Sequence, residues 1–195
     1  MPGAGSRGTS QERGRQRRVR LVEGATSVLL EGGLQAVSAR SVADAAGVPL
    51  AAVTYYFTSL DELIAEAMTG LLHRWVEQVR HTTRSVRANG EAADLARLVT
   101  KAMLPPGGDN AVQAHYELLL ACGRRTVLSA ALARGRGHLD EALAELIEAA
   151  MPRATSRPSP QLVLAVVDGA VVSALSEGAA VDTTARARLS ELLSS

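Results

Sequence analysis

Cysteine and aromatic residues are scarce in this chain. Cys122 is the only cysteine among 195 residues, and 3% of residues are Phe, Trp or Tyr. A single cysteine excludes an intramolecular disulfide and a cysteine-based zinc site, and it agrees with a reducing compartment. The hydrophobic content of 47% is still enough for a core. Because Ala, Leu and Val supply most of it, the composition favours helices packed on helices.

Long hydrophobic runs are also missing. Residues 1–20 contain no apolar stretch that could serve as a signal peptide. The longest apolar run, 162–175, is interrupted by Asp168 and is shorter than the roughly 20 residues that cross a bilayer. We therefore expect a cytoplasmic protein without a membrane partner, in which this run forms a buried helix.

Positive charge is concentrated at the N-terminus, although the formal net charge is only +1. Residues 1–20 contain one acidic residue, Glu12, and six arginines: Arg7, Arg13, Arg15, Arg17, Arg18 and Arg20. Residues 1–14 show no apolar periodicity, which predicts a disordered basic arm. On charge alone, a solvated tail is favoured over a polyanion-binding one.

The first part of the chain has the spacing of a helix-turn-helix. Apolar residues recur every three or four positions over 15–31, up to Gly32 and Gly33, which predicts a first helix that ends there. Two short helices follow. One is capped by Ser38 and closed by Gly47, and the other covers 49–57. Two short helices joined by a glycine-containing turn and braced by an earlier helix indicate a DNA-binding element.

The remainder predicts further helices and no strand. A capping box at Ser59 and Glu62 begins a long helix, and the glycines at 135 and 137 predict a kink. The helix that starts at Pro160 is apolar on nearly every face, so it needs cover from a partner subunit. We expect a homodimer built mainly from 159–177 and 184–193. The predicted helices after the first long one cover about 91–103, 110–122, 125–151, 159–175 and 184–193.

One segment resembles the DNA-binding signature of the TetR family of transcriptional regulators. Its residues are Ser38-Ala-Arg-Ser-Val-Ala-Asp-Ala-Ala-Gly-Val48, Thr54-Tyr-Tyr-Phe57 and Ser59-Leu-Asp-Glu-Leu63, and the likeness covers about 17–67. It implies an all-α fold with a helix-turn-helix domain over 15–57 and an effector-binding and dimerisation domain over 58–195.

The resemblance also implies which residues contact DNA. Leu50, Ala51 and Thr54 would face base edges, and Arg40 would contact a base. Tyr55 and Tyr56 would contact phosphates, with half-buried core packing as the alternative. Pro49, Tyr56 and Leu60 stand where the family often has Ser, His and Lys, so we expect N-terminal arginines to compensate. The predicted set is Arg17, Arg18, Ser38, Arg40, Leu50, Ala51, Thr54, Tyr55 and Tyr56.

The predicted effector site consists of bulky or polar residues on the C-terminal helices. Asp168 lies in a segment that resembles the family's penultimate helix, where pairing across the dimer is favoured over ligand contact. The histidines have no metal-ligand spacing, and no catalytic motif is present, so we expect neither a metal, a cofactor nor an enzyme. The candidate residues are Met68, Trp75, Met103, His115, Tyr116 and Asp168.

The family resemblance implies a repressor that binds a palindromic operator as a homodimer and responds to a small-molecule effector. One alternative is a helix-turn-helix regulator controlled by a protein partner or by no ligand. A helical enzyme with a vestigial helix-turn-helix is a further alternative, which the missing catalytic motif disfavours.

Overall fold

The structure is a computed structural model that describes residues 5–89, 94–105, 107–154 and 156–194, except for the side chains of 5–10 and of Asn89. Every helix or strand within these ranges is an α-helix, which confirms the predicted all-α class. The nine helices are α1 (Gly5–Ala36), α2 (Ala39–Ala46), α3 (Ala51–Tyr56), α4 (Leu60–Asn89), α5 (Leu95–Met103), α6 (Asp109–Cys122), α7 (Thr126–Ala150), α8 (Pro160–Glu177) and α9 (Val181–Ser194).

Helix α1 begins at Gly5 and not at Arg15. This corrects the predicted disorder for residues 5–14, while residues 1–4 lie outside the described chain. The Glu12 carboxylate accepts hydrogen bonds from Arg15 at 2.9 Å and Gln16 at 3.2 Å, and such pairs one turn apart stabilise a helix. The predicted break lies at Gly33, whose φ of 67° and ψ of −171° are open to almost no other residue.

The first of the two short helices, α2, has a well-defined cap at each end. Ser38 and Ser41 form a reciprocal capping box before α2, with backbone-to-hydroxyl distances of 2.9 and 3.0 Å. Gly47 closes α2 in the left-handed conformation with φ 62°. Helix α3 is shorter than the predicted 49–57. At its end, Phe57 is already extended. At its start, the Pro49 carbonyl oxygen accepts a hydrogen bond from the Ala52 nitrogen, which forms a turn before the helix.

The chain forms two compact units. The first unit comprises residues up to 71 together with 117–132, so it is larger than the predicted 15–57. Residues 58–71 and 117–132 belong to this unit because the start of α4, the end of α6 and the start of α7 contribute to its core. That core includes Leu21, Val42, Val53, Phe57, Leu63, Leu118, Cys122 and Leu128.

Close approach of α1 and α2 in the first unit depends on Gly24. A Cβ atom at this position would lie 3.0 Å from the backbone nitrogen of Ala46 and 3.0 Å from the carbonyl oxygen of Val42. Backbone atoms cannot rotate away as a side chain can, so a larger residue would force the two helices apart.

The second unit comprises residues 72–116 and 133–195. Its core includes Val79, Val99, Leu139, Leu143, Leu146, Leu164, Val171 and Leu189. Helix α7 continues through Gly135 and Gly137 without a non-helical residue, which corrects the predicted kink. Gly135 instead allows close packing, since a Cβ there would lie 2.4 Å from Leu72 Cδ1.

Helix α8 begins as the sequence predicts, with Ser159 Oγ accepting a hydrogen bond from Leu162 N at 3.2 Å. Its mean hydropathy over 18 residues is 1.3, so by length and composition the helix could span a bilayer. The apolar run 162–175 by itself is too short to do so. Val163, Leu164, Val167 and Val171 are nevertheless part of the second unit's core. One face of helix α8 therefore packs into the second unit's core.

Candidate DNA interface and effector site

Helix α3 presents four predicted DNA contacts on one exposed surface. Val53 and Phe57, four residues apart, are 4% and 3% exposed and hold the helix against the first unit's core. Side chains on the other side of a helix point away from such an anchor. The residues there are Ala51, Thr54 and Tyr55, and Leu50 directly precedes the helix; all four are exposed, with Tyr55 at 80%.

Tyr55 and Tyr56 occupy different environments, although their rings pack edge to face at 4.8 Å. The exposure of Tyr55 leaves its hydroxyl accessible to a ligand. Tyr56 is half-buried and packs against the first unit's core. Core packing, the alternative for both tyrosines, therefore describes Tyr56 but not Tyr55.

The remaining polar residues of the predicted interface differ in availability. Arg40, in the first turn of α2, is exposed and has no ion pair among the described residues. The Ser38 hydroxyl is already engaged with the backbone and hydroxyl of Ser41. The Thr54 hydroxyl donates to Ala51 O at 3.2 Å, which leaves Arg40 and Tyr55 as the most accessible polar groups.

The two predicted N-terminal DNA contacts, Arg17 and Arg18, have different surroundings. The Arg18 guanidinium donates two hydrogen bonds to the Glu66 carboxylate, and its Cζ lies 4.8 Å from the centroid of the Phe57 ring. Arg18 thus links α1 to α4 and to the end of α3. Arg17 is exposed and has no ion pair within the described chain.

The start of α4 is fixed by contacts that only partly follow the predicted capping box. Ser59 Oγ accepts from Glu62 N at 3.1 Å as predicted. The Glu62 carboxylate, however, accepts chiefly from the Thr58 nitrogen at 2.8 Å and hydroxyl at 2.6 Å, and these bonds lower the pKa of Glu62. Arg125 donates to Asp61 at 2.7 Å, a contact with no signal in the sequence.

In the second unit, four of the predicted effector residues form one connected cluster. The His115 ring lies edge-on to Trp75 at 4.7 Å and to Tyr116 at 5.8 Å. Tyr116 Oη donates to Asp168 Oδ1 at 2.8 Å, and Arg136 donates to Asp168 Oδ2. Both carboxylate oxygens are therefore engaged within the subunit, whereas the sequence favoured pairing across a dimer.

One polar atom of this cluster remains unsatisfied. His115 Nε2 is buried and has no hydrogen-bond partner among the described residues. Burial lowers the pKa of His115, and the charge of Asp168 opposes that shift. Burial, reinforced by Asp168, raises the pKa of Tyr116. A buried polar nitrogen without a partner is costly, and Nε2 is the one buried polar atom of the cluster for which the described residues supply no hydrogen bond.

The two methionines of the predicted site lie in different units. Met103 is buried in the second unit's core, next to Ala102, whose carbonyl oxygen accepts from Trp75 Nε1 at 2.9 Å. Met68 is buried in the first unit's core, with its Sδ 3.1 Å from Cys122 Sγ. Met68 therefore belongs to the first unit's core, whereas the cluster belongs to the second unit. The structure adds Arg136, which the sequence analysis missed because 32 residues separate it from Asp168.

Helix α8 keeps one face free of intrasubunit packing. Leu162 and Val172 are 46% and 54% exposed, and a Cβ atom on Gly169 would have no atom within 4 Å. The exposed positions on this face, Leu162, Ala165, Gly169, Val172 and Ser176, recur every three or four residues.

In the described part of the chain, no three His, Cys, Asp or Glu side chains lie close enough to hold a metal ion.

A helix-turn-helix with an exposed α3, joined to a second helical unit, defines the class of helix-turn-helix transcriptional regulators. The profile of the bacterial regulatory proteins of the tetR family matches residues 21–67. A tetracyclin repressor-like C-terminal domain matches residues 87–195. The chain belongs to the TetR family, which confirms the predicted resemblance.

Several relatives show the same relationship. The transcriptional regulator PksA of Bacillus subtilis is 35% identical over 65 residues, which are 33% of this chain and 32% of PksA, so the match spans about a third of that relative. The multidrug binding protein EbrR complexed with proflavin is 27% identical, with a TM-score of 0.64 over 90% of this chain and 99% of EbrR. A TetR family member from Streptomyces coelicolor is 27% identical, with a TM-score of 0.57 over 90% and 97%.

Proposed function

We propose that this protein is a cytoplasmic, ligand-responsive repressor that binds a near-palindromic DNA operator as a homodimer and has no catalytic activity. The observation behind this proposal is the exposed surface of α3, where Ala51, Thr54 and Tyr55 lie away from the buried anchors Val53 and Phe57 and Leu50 is exposed at the start of the helix. A short helix held in this way fits the major groove.

The contacts on this surface divide into two kinds. Leu50 and Ala51 have no hydrogen-bonding side chain, so we assign them to thymine methyl groups. Arg40 has a fork of donors that matches guanine O6 and N7. The Tyr55 hydroxyl donates to a phosphate, which positions the helix without distinguishing bases.

Arg40→Ala tests the base contact. Loss of a bidentate arginine costs roughly 1–3 kcal/mol at one base pair, so the variant should lose preference at a single operator position in a binding assay over all point variants. Arg97→Ala, an exposed position in α5, is the control and should keep that preference. Equal weakening of every operator variant by Arg40→Ala would contradict the assignment.

Footprinting tests the operator's symmetry. Two recognition helices on one face of a dimer enter successive major grooves, so half-site centres should lie roughly one helical turn apart or a little more. Protection of one isolated half-site by one subunit would be incompatible with this arrangement.

The exposed face of α8 supports the homodimer. Small residues between Leu162 and Val172 would let a partner helix approach closely, and the apolar side chains would be buried by it. Gly169→Leu adds a side chain whose Cβ atom would have no atom of its own subunit within 4 Å, so it should disturb the partner helix and dissociate the dimer in sedimentation at micromolar concentration. Gly137→Leu is the matched control, because it is also a helical glycine with open space around it. An intact Gly169→Leu dimer would place the interface elsewhere.

We place the effector at the cluster of Trp75, His115, Tyr116 and Asp168, with Met103 beside it. EbrR has been solved with proflavin, ethidium and malachite green, which supports an aromatic effector for this chain as well. Trp75 is the only tryptophan, so its fluorescence should change on binding. The dimer would exist in two conformations, one of which holds the two α3 helices at a spacing that does not fit the operator. An effector that binds this conformation more tightly would increase its population and so release the DNA.

The charge of the cluster points to the preferred effector. Arg136 already neutralises Asp168, so uncharged aromatic molecules should bind better than cations. Arg136→Gln frees the carboxylate and should raise the affinity for ethidium, measured by Trp75 fluorescence, whereas Arg134→Gln, exposed on the same helix, should not. If no aromatic molecule perturbs Trp75 and DNA release requires a second protein, control by a protein partner would replace this proposal.

A further inference from the structure

The N-terminal turns of α1 extend beyond the segment that defines the family's DNA-binding domain. The family profile begins at residue 21, whereas α1 is helical from Gly5. The inner face of this extension includes Gly14, Arg18 and Leu21, which follow at spacings of four and three. Leu21 is fully buried, and Arg18 is engaged by Glu66 and Phe57. The extension is thus fixed to the first unit by its inner face.

Three further arginines line one side of this extension. Arg13, Arg17 and Arg20 are all exposed, and their spacings of four and three place them along the same side of a helix with 3.6 residues per turn. We call these three residues the basic flank. Arg15 lies on the other side, where its guanidinium pairs with Glu12 at 2.9 Å. Exposed positive charge is therefore concentrated on one side of α1.

The extension lies beside the end of α3. A Cβ atom at Gly14 would be 3.5 Å from Tyr56 Oη, and Tyr56 is the last residue of α3. Gly14 lies within the run that contains the basic flank, between Arg13 and Arg17. The part of α1 that carries the flank therefore lies beside the C-terminal end of α3, the helix that presents Tyr55.

We infer that the basic flank is a second DNA-contacting element, which binds phosphates of the duplex outside the base pairs that α3 contacts. Guanidinium groups suit this ligand, since their planar forks match phosphate oxygens. From Arg13 to Arg20 the helix rises about 10 Å, enough for more than one phosphate. The inference rests on the proposed DNA-binding function. It assigns phosphate binding to Arg17 but a structural role to Arg18.

Duplex length and salt concentration together test the inference. The probes are two duplexes built on the site that the wild-type protein selects from a random library: the core site alone, and the same core with ten flanking base pairs on each side. The wild-type protein should bind the long duplex more tightly than the short one. Arg13→Gln/Arg17→Gln/Arg20→Gln should abolish that difference, and its plot of log affinity against log salt on the long duplex should be shallower by about 0.9 for each phosphate that the flank no longer binds.

Two further variants make the result specific. Arg15→Gln removes one positive charge from the opposite side of the same helix and should keep the wild-type preference for the long duplex. Arg17→Gln alone should produce part of the triple variant's change in slope. All variants alter exposed side chains, so circular dichroism should show unchanged helicity.

The outcomes separate this inference from the proposed function. If the triple variant keeps both the salt slope and the preference for the long duplex, the flank does not contact DNA and the inference is overturned, while operator binding by α3 stands. An equal effect of Arg15→Gln would also overturn it, because net charge rather than the flank would then be responsible. If the wild-type protein selects no site at all, both proposals fall.

Discussion

The two units arrange their candidate sites in opposite ways. In the first unit, Arg40 and Tyr55 are exposed side chains on the short helices α2 and α3, and no ion pair engages either of them within the described chain. In the second unit, Tyr116 and Asp168 are half-buried and bonded to each other, next to a buried His115 nitrogen. A site for a large, rigid ligand can be exposed in advance. In the second unit, by contrast, the candidate site consists of half-buried residues that are already bonded to one another, apart from the His115 nitrogen.

The largest expected effect tests whether the first unit's surface depends on close helix packing. Gly24→Ala places a methyl group against the backbone of α2, and overpacking of this kind costs roughly 1–3 kcal/mol. Thermal unfolding should show the loss, together with weaker operator binding, because α2 holds Arg40. Gly137→Ala is the control: with open space around it, it should stabilise the protein by about 0.5–1 kcal/mol. Unchanged stability of Gly24→Ala would show that α1 and α2 can separate freely.

A second, smaller effect compares the same substitution in the two units. Tyr116→Phe removes the hydrogen bond to Asp168 and should lower the free energy of unfolding by about 0.5–1.5 kcal/mol, with operator affinity unchanged in the absence of effector. Tyr55→Phe should do the reverse, weakening operator binding by about 1 kcal/mol, or roughly fivefold, at unchanged stability. The pair is measured by chemical denaturation and fluorescence anisotropy. If Tyr55→Phe unfolded the protein instead, its hydroxyl would have a structural role.

The smallest effect concerns the protonation of His115. Its folded-state pKa lies below the ordinary 6.5 because of burial, so the folded state binds fewer protons than the unfolded chain as pH falls through 6.5. Stability from this group is complete above that pH and decreases below it. Trp75, Tyr116 and Asp168, itself paired with Arg136, face the ring. His115→Gln should therefore flatten the dependence of melting temperature on pH between about 7.5 and 5.5, relative to the exposed control His138→Gln. Parallel profiles would assign the dependence to other groups.

Local features were the ones that the sequence predicted well. The caps at Ser38, Gly47 and Ser159 and the break at Gly33 each depend on residues within one turn, so spacing alone indicates them. The position of α3 follows from Val53 and Phe57 in the same way. The TetR family signature covers this same segment, which explains why the DNA interface was the clearer of the two sites.

Long-range contacts were not predictable. Arg18 and Glu66 are 48 residues apart, Asp61 and Arg125 are 64 apart, and no local periodicity connects such pairs. The sequence therefore predicts the same role for Arg17 and Arg18, and only the structure shows that Arg18 is paired with Glu66 while Arg17 is exposed. The assignment of Met68 to the first unit's core is likewise not predictable from the sequence, because α4 contributes to both cores and its apolar spacing does not indicate where one core ends and the other begins.

The single cysteine and the single tryptophan give each unit its own reporter. Cys122 is fully buried in the first unit, and burial raises the pKa of its thiol, so a maleimide should modify the native protein slowly. The rate of modification then measures opening of the first unit, while Trp75 emission follows the second unit. A cysteine introduced at an exposed position could likewise be labelled selectively with Cys122 left in place. The order in which the two units unfold can thus be measured without any substitution in the protein.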